Sequence, residues 1–497
     1  MTQPPSDHPA QPGPGADVLA VEPSAPVRGR RRGVLIGASV LAVALVGGGA
    51  ALAASKLGGG GAQPDEAVPA SAVGFVAVDL DPSAGQKVDF LRFARKFPDA
   101  RKAIGSDDDV RKALFESLKK DGRLQGDWSR DVAPWLGDRA GFAVLPPKAD
   151  GEDPGALVVL AVTDAGKAKA GIAKVSEGQA TCEFPDGWAV CSDDAAVVSK
   201  AVKDAADKPL SQAKDYTADV EALGERGVAR AWFDLGKLQE AIPTSGQVTA
   251  ALSSAKLTGR TAFALRFDGP TLELAGHATG TQLPKLSGSA GVDDLPADSV
   301  AVYGFSGADR LVDYAYAQVR KAAESMNGAA ELDALTQQVQ QQFGISVPGD
   351  VTKAIGDRMA IVYGGQDAGA PQVAARFSGD RGTLDTIVNA VQGGAGLTLG
   401  RAQSGSDSVL ASTQAYADKV AGQHGLGDSA AFKDAVPHAK DAQAVLYVDI
   451  AAALSQSGDQ AGLSAAEREQ AKALQSLGLS VTQDGDRLSY DVRLTTK

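Results

Sequence analysis

The chain repeats itself, and a repeat this long restricts the fold more than any other feature. Val68-Pro69-Ala70-Ser71-Ala72-Val73 recurs as Leu295-Pro296-Ala297-Asp298-Ser299-Val300, each leading into an alternating run (GFVAVDL; AVYGF). Asp131-Val132 with Leu136-Gly137-Asp138-Arg139 recurs as Asp350-Val351 with Ile355-Gly356-Asp357-Arg358. Ala231-Trp232-Phe233-Asp234-Leu235 matches Leu446-Tyr447-Val448-Asp449-Ile450, and Asp268-Gly269 matches Asp484-Gly485. The offsets are 227, 219, 215 and 216 in chain order. The sequence therefore predicts one unit used twice, at 71–279 and 295–497, with 280–294 as the linker.

Short Gly, Pro or Asp-Gly connections pair the strand candidates 139–145 with 156–163, 179–184 with 188–192, and 260–267 with 271–278 as antiparallel hairpins. Phe90, Phe93, Ala94 and Phe97 recur at helical spacing, as do Val110, Ala113 and Leu114. Leu332, Leu335, Val339 and Phe343 form a comparable stripe, and these residues are read as core. The expected class is α+β: two tandem pseudo-repeats with mostly antiparallel sheets and packed helices, preceded by one transmembrane helix.

That helix is expected at 33–54, where 22 residues carry no charge. As a helix they span about 33 Å, enough for a hydrocarbon core of about 30 Å. Arg28, Arg30, Arg31 and Arg32 precede the segment and only Lys56 follows, so the positive-inside rule puts 1–32 in the cytoplasm. The reading is a signal-anchor in the cell membrane with an extracytoplasmic ectodomain. The Pro-rich tail 1–32 reads as disordered, and 55–70, opening with a glycine run at Gly58 to Gly61, as a flexible tether. Two alternatives compete: cleavage at Ala51-Leu52-Ala53, and twin-arginine export through Arg31-Arg32.

Charge narrows the partners. The net charge is −12, and residues beyond 56 hold 44 basic against 58 acidic groups. Such a surface does not displace counterions from phosphates, so nucleic acid is excluded as a partner. Cys182 and Cys191 flank EFPDGWAV, and a turn at Asp186-Gly187 sets them opposite each other across a hairpin. Outside the cell that pair is expected to form a disulfide. The second unit has Arg401 and Leu410 at these positions, so the bridge is not part of the shared fold.

No catalytic, cofactor or metal site emerges. His8, His277, His424 and His438 are scattered, and HExxH and GxSxG are absent. Three SxxK matches, at Ser117, Ser211 and Ser253, lack the companion triplets of penicillin-recognising enzymes. Asp107-Asp108-Asp109 reads as helix capping and Asp79-Leu80-Asp81 as at most a weak calcium ligand. In the repeated Gly-Asp-Arg, Gly137 and Gly356 are expected to end helices in the left-handed conformation, with Asp and Arg pairing on the next strand.

The Arg-rich start with its single helix, the glycine tether, the VPASAVGFVAVDLDPSAGQKVDF opening and the duplicated Gly-Asp-Arg unit together resemble a family of membrane-anchored actinobacterial proteins known only as a domain of unknown function. The resemblance implies a surface-anchored ectodomain and supplies no activity or functional residues. Two functions from different classes follow. One is a non-catalytic binding or scaffolding module of the cell envelope, holding an envelope protein or ligand in a groove between the units. The other is an envelope hydrolase with dispersed catalytic residues.

Overall fold

Period-two patterning builds the centre of the molecule. The computed structural model describes residues 61–103, 110–148, 153–241, 258–281, 283–395, 398–457 and 462–497. The tail, the apolar segment 33–54, residues 55–60 of the tether, Asp107-Asp108-Asp109 and Ser253 lie outside these residues. Among the described residues no helix is long and apolar enough to cross a membrane.

Sixteen strands join in one antiparallel sheet. In chain order they are β1 Gly74–Asp79, β2 Leu136–Leu145, β3 Gly155–Val162, β4 Thr181–Glu183, β5 Trp188–Ser192, β6 Ala229–Asp234, β7 Arg260–Asp268 and β8 Thr271–Thr279. There follow β9 Ala301–Ser306, β10 Arg358–Asp367, β11 Ala370–Phe377, β12 Gly400–Ser404, β13 Asp407–Ala411, β14 Ala444–Asp449, β15 Leu474–Asp484 and β16 Arg487–Thr496. From one edge the order runs β4-β5-β3-β2-β1-β6-β7-β8, and from the other β12-β13-β11-β10-β9-β14-β15-β16. The two inner strands meet. β8 pairs with β16 from Thr279↔Arg487 to Leu272↔Leu494. The class is α+β as expected, with a single sheet in place of several.

That pairing ties the two halves together beside the linker. Moving one half against the other would break the ladder between β8 and β16. Leu286 N–H donates to Gln483 2.6 Å away, and Ala290 and Val292 are buried in the core of the second half. From Leu286 onward the linker is tied to the second half at these points.

Each half buries one sheet face under helices. In the first, Phe75, Ala143, Leu157, Val190 and Trp232 pack against Ala201 of helix Ala195–Asp207 and Tyr216 of helix Lys214–Glu221. In the second, Val302, Val362, Val409 and Tyr447 pack against Tyr416 and Phe432. On the opposite face Phe90 and Phe93 meet Phe267 with ring centroids 5.3 and 5.5 Å apart, so this helical stripe is core as its spacing predicts. The following helix, Val110–Lys120, buries Phe115 and Leu118, while Leu114 is only partly buried.

The third stripe departs from expectation. Helix Ala329–Phe343 buries none of its residues, and Leu335 and Phe343 are 60% and 40% exposed. With helix Ala308–Ser325 it forms a hairpin joined by Arg320 to Asp333 at 2.9 Å. Helical periodicity shows that one face is apolar, not that anything covers it.

All three predicted hairpins form. Cys182 stands opposite Cys191, and a disulfide joins them with Cα atoms 4.1 Å apart. The outer edges are blunted. β4 is three residues long and held by this bridge. On β12 the Gln414 side chain accepts from Arg401 N–H at 3.1 Å and donates to its carbonyl at 2.9 Å, occupying backbone groups open to another strand.

Of the Gly-Asp-Arg expectation only the helix-ending glycine is seen, in one copy, and with an extended ψ of −165° in place of the left-handed helical conformation. Gly356 ends helix Gly349–Ile355 with φ +72°, and a Cβ there would lie 2.5 Å from Gly379 N. Gly137 lies inside β2, where a Cβ would fall 2.8 Å from that of Ala161; close approach, not a left-handed cap, requires glycine. The Asp and Arg do not pair with each other. Asp138 meets Arg111 at 3.5 Å, Asp357 meets Arg310 at 2.9 Å, and Arg358 reaches Asp407 at 3.5 Å.

Candidate functional site

The junction of the halves concentrates polar residues on one sheet face. The turn at Asp268-Gly269 sets Arg266 on β7 opposite Glu273 on β8, and the junction ladder sets Arg493 on β16 against Glu273 from the other side. Glu273, 7% exposed, accepts from Arg266 at 2.6 and 3.1 Å and from Arg493 at 3.5 Å. Arg493 also donates to the Asp434 carbonyl and to Asp268, and Arg266 to the Leu223 carbonyl. A buried acid thus holds two arginines that reach into the helical layers of both halves.

Asp491 on β16 stands one row along, opposite Ala275. Burial and then the Glu273 charge push its carboxyl up to about 6, against the pull of Arg493, Arg266 and His438. Its Oδ1 is buried without a hydrogen-bond partner.

In the next row Ser489 faces His277. His277 is 3% exposed, and its Nε2 lies 3.5 Å from Asp219 Oδ1. Asp219 sits on helix Lys214–Glu221 and accepts from Arg260 at 2.7 Å and from Trp232 at 3.0 Å. Burial raises the Asp219 carboxyl, but His277, Arg260 and Trp232 together outweigh it and bring it to about 2. Asp, His and Ser in sequence are the materials of nucleophilic catalysis. Here the acid is committed to Arg260 and Trp232, the imidazole is sealed, and among the described residues no hydrogen bond joins it to Ser489.

At the start of the described chain, Asp65 is pinned inside the fold. Its Oδ2 accepts from Tyr216 at 2.6 Å and from Arg230 at 3.0 Å, all three residues being buried. Burial and the Asp65 charge push the Tyr216 hydroxyl well above its usual range. Arg139 donates to the Ala62 carbonyl, 3.1 Å away.

A family model matches part of this architecture. It is DUF3352, a protein of unknown function, and it matches residues 34–186. The DUF3352 stretch takes in the Asp65 pin and β1 to β4 and ends in the turn before β5. It stops short of Glu273, His277 and Asp491. No curated protein and no solved structure matches the chain.

The other sheet face differs between the halves. Val76 on β1 and Phe142 on β2 oppose each other and are 4% and 8% exposed. β9 and β10 hold the same ranks counted from the other edge, and there the opposed pair is Tyr303 and Ile361, 45% and 40% exposed. Val373 on β11 extends the patch at 41%, within the half that carries the uncovered helical hairpin. The second half thus exposes apolar side chains on a face that the first half buries.

The sequence candidates end up apart. His424 pairs with Asp294 at 2.9 Å on the surface and His438 is exposed. Ser117 and Lys120 share helix Val110–Lys120, and Ser211 lies in a short 3-10 turn before Lys214. Asp79 accepts from Asp81 N–H, and Asp81 pairs with Lys87, so the acids face protein partners. Among the described residues no three acidic, His or Cys side chains converge as metal ligands. The recesses beside Arg139 and beside Arg358 measure about 20 and 10 Å³, room for about one water each.

Proposed function

We propose that this is a single-pass membrane-anchored protein whose ectodomain, a duplicated unit fused through its sheet, is a non-catalytic binding or scaffolding module of the cell envelope. One observation carries the reading: the apolar face at Tyr303, Ile361 and Val373 is open where the pair of equal rank, Val76 and Phe142, is buried. The matched ranks of the two half-sheets support duplication. The binding surface is therefore this face and not a groove between the units, which the Arg266–Glu273–Arg493 cluster fills. The committed partners of Asp219 weigh against the hydrolase alternative.

The test has three arms. Protease added to intact, wall-stripped cells should remove the ectodomain and leave the tail protected; a protected ectodomain overturns the orientation. A photo-crosslinking residue at 361 should trap an envelope component that one at 142 does not. Turnover on a peptide, ester, phosphate or glycan substrate, lost in His277→Ala or Ser489→Ala without unfolding, would replace the binding reading with the hydrolase.

A further inference from the structure

The helical hairpin between β9 and β10 is built like half of a bundle. Its base is fixed: Ala308 and Asp309 N–H donate to the Asp357 and Gly356 carbonyls at 2.8 and 2.9 Å, and Thr352 donates to Asp313 at 2.8 Å. Beyond that base the hairpin is bare. Ala308 is the one buried residue of helix Ala308–Ser325, and helix Ala329–Phe343 has none. Yet Val312, Tyr316, Val319, Ala323 and Met326 follow the alternating four- and three-residue spacing of a coiled-coil seam, beside the Leu332–Phe343 stripe of the second helix. In a finished bundle such seams are covered. Here Val319, Met326, Leu335 and Phe343 are exposed.

Charge selects what covers them. From 314 to 343 the hairpin carries Arg320 and Lys321 against Glu324, Glu331 and Asp333, a net charge of −1, whereas the chain beyond residue 56 carries −14. Residues 334–349 hold no charge, and helix Ala329–Phe343 exposes Gln337, Gln338, Gln340, Gln341 and Gln342. Two copies of an acidic chain meet at least cost where neither carries much charge. An amide both donates and accepts, so a row of glutamines complements its own copy, as a two-fold interface requires. A cationic partner would find little on this face to hold it. The face is about 20 Å wide and 22 Å long. About half of the 18 and 15 helical residues lie on it, somewhat under the roughly 20–30 that a standard interface takes from each side, so the contact dissociates. We propose that two copies of this chain join through the hairpin into a dissociable, two-fold four-helix bundle.

Both native cysteines are bridged, so one added cysteine is the only free thiol. Full-length Leu335→Cys and Lys200→Cys proteins, the second marking an exposed helix of the first half, are purified in detergent micelles and treated with a short bismaleimide. Crosslinked dimer from position 335 should exceed that from 200 by about tenfold or more, since the bundle holds its two thiols at about millimolar effective concentration. Light scattering of the native chain should show dimer rising with concentration. Leu335→Glu with Gln338→Glu, both on the exposed face, should return the mass to one chain with an unchanged circular dichroism spectrum. Equal crosslinking from the two positions, or a single-chain mass at every concentration, overturns the proposal. A monomer in which cysteines placed by Leu335→Cys and Ile361→Cys crosslink within one chain overturns it in favour of the hairpin closing on its own sheet.

Discussion

Glu273→Gln tests the junction directly. The substitution keeps the shape and removes the charge that two arginines share, leaving Arg266 and Arg493 facing each other across a neutral amide. Removing one partner from a buried ion pair costs about 3–5 kcal/mol. Arg266 and Arg493 are 22% and 15% exposed and retain the Leu223 and Asp434 carbonyls, which points to the lower end, about 3 kcal/mol. For about 400 described residues, at about 2.1 cal/mol/K each, the loss lowers Tm by about 3–4 °C. Calorimetry with urea unfolding measures it. The same variant alters pH dependence. Asp491 is raised from 3.8 to about 6, so its stabilising contribution is complete below about pH 4 and is lost as pH rises through about 6. Without the Glu273 charge the Asp491 carboxyl falls, and that decline in stability between pH 4 and 6 should flatten. A loss below about 0.5 kcal/mol with an unchanged pH profile would refute the account, since only surface-like sites respond so little.

Further outcomes follow from the same geometry. Cys182→Ala should fold but lose about 2–3 kcal/mol in urea, because the bridge closes a short loop, and the unreduced, denatured wild type should titrate no free thiol. Gly356→Ala should cost about 2 kcal/mol or more, since positive φ and the Gly379 backbone both oppose a Cβ; a neutral result would refute the cap. Ile361→Asp should change stability by under about 1 kcal/mol, whereas Phe142→Asp should prevent folding, a contrast read by circular dichroism.

Local features were legible in the sequence because local chemistry determines them. The Asp268-Gly269 and Asp186-Gly187 turns fix their registers, and with them the Arg266–Glu273 and Cys182–Cys191 pairs. Arg493 could not be added, since no turn connects β8 to β16; their pairing spans the whole second half. His277 and Asp219 looked unremarkable among scattered residues, although the 216 offset sets them against Arg493 and Ala435, the asymmetry to look for. Gly137 and Gly356 share a motif but not a backbone conformation, because each glycine answers to its own neighbours. The Leu332–Phe343 stripe was misread because periodicity reports a face and not its partner.

The meeting of β8 with β16 also sets an order of events. β8 is finished at residue 279, but the strand that covers its edge is the last of the chain, 487–496. As the polypeptide emerges, the first half presents a nine-residue strand with one edge unpaired while some 200 further residues are made. An edge of that length is a template for pairing with another chain. A nascent first half is therefore open to joining a neighbouring copy through β8, the same geometry in trans that the finished protein closes in cis. Ribosome stalling or truncation before residue 487 should yield dimers or aggregates, because β16 is the strand that covers this edge within the chain.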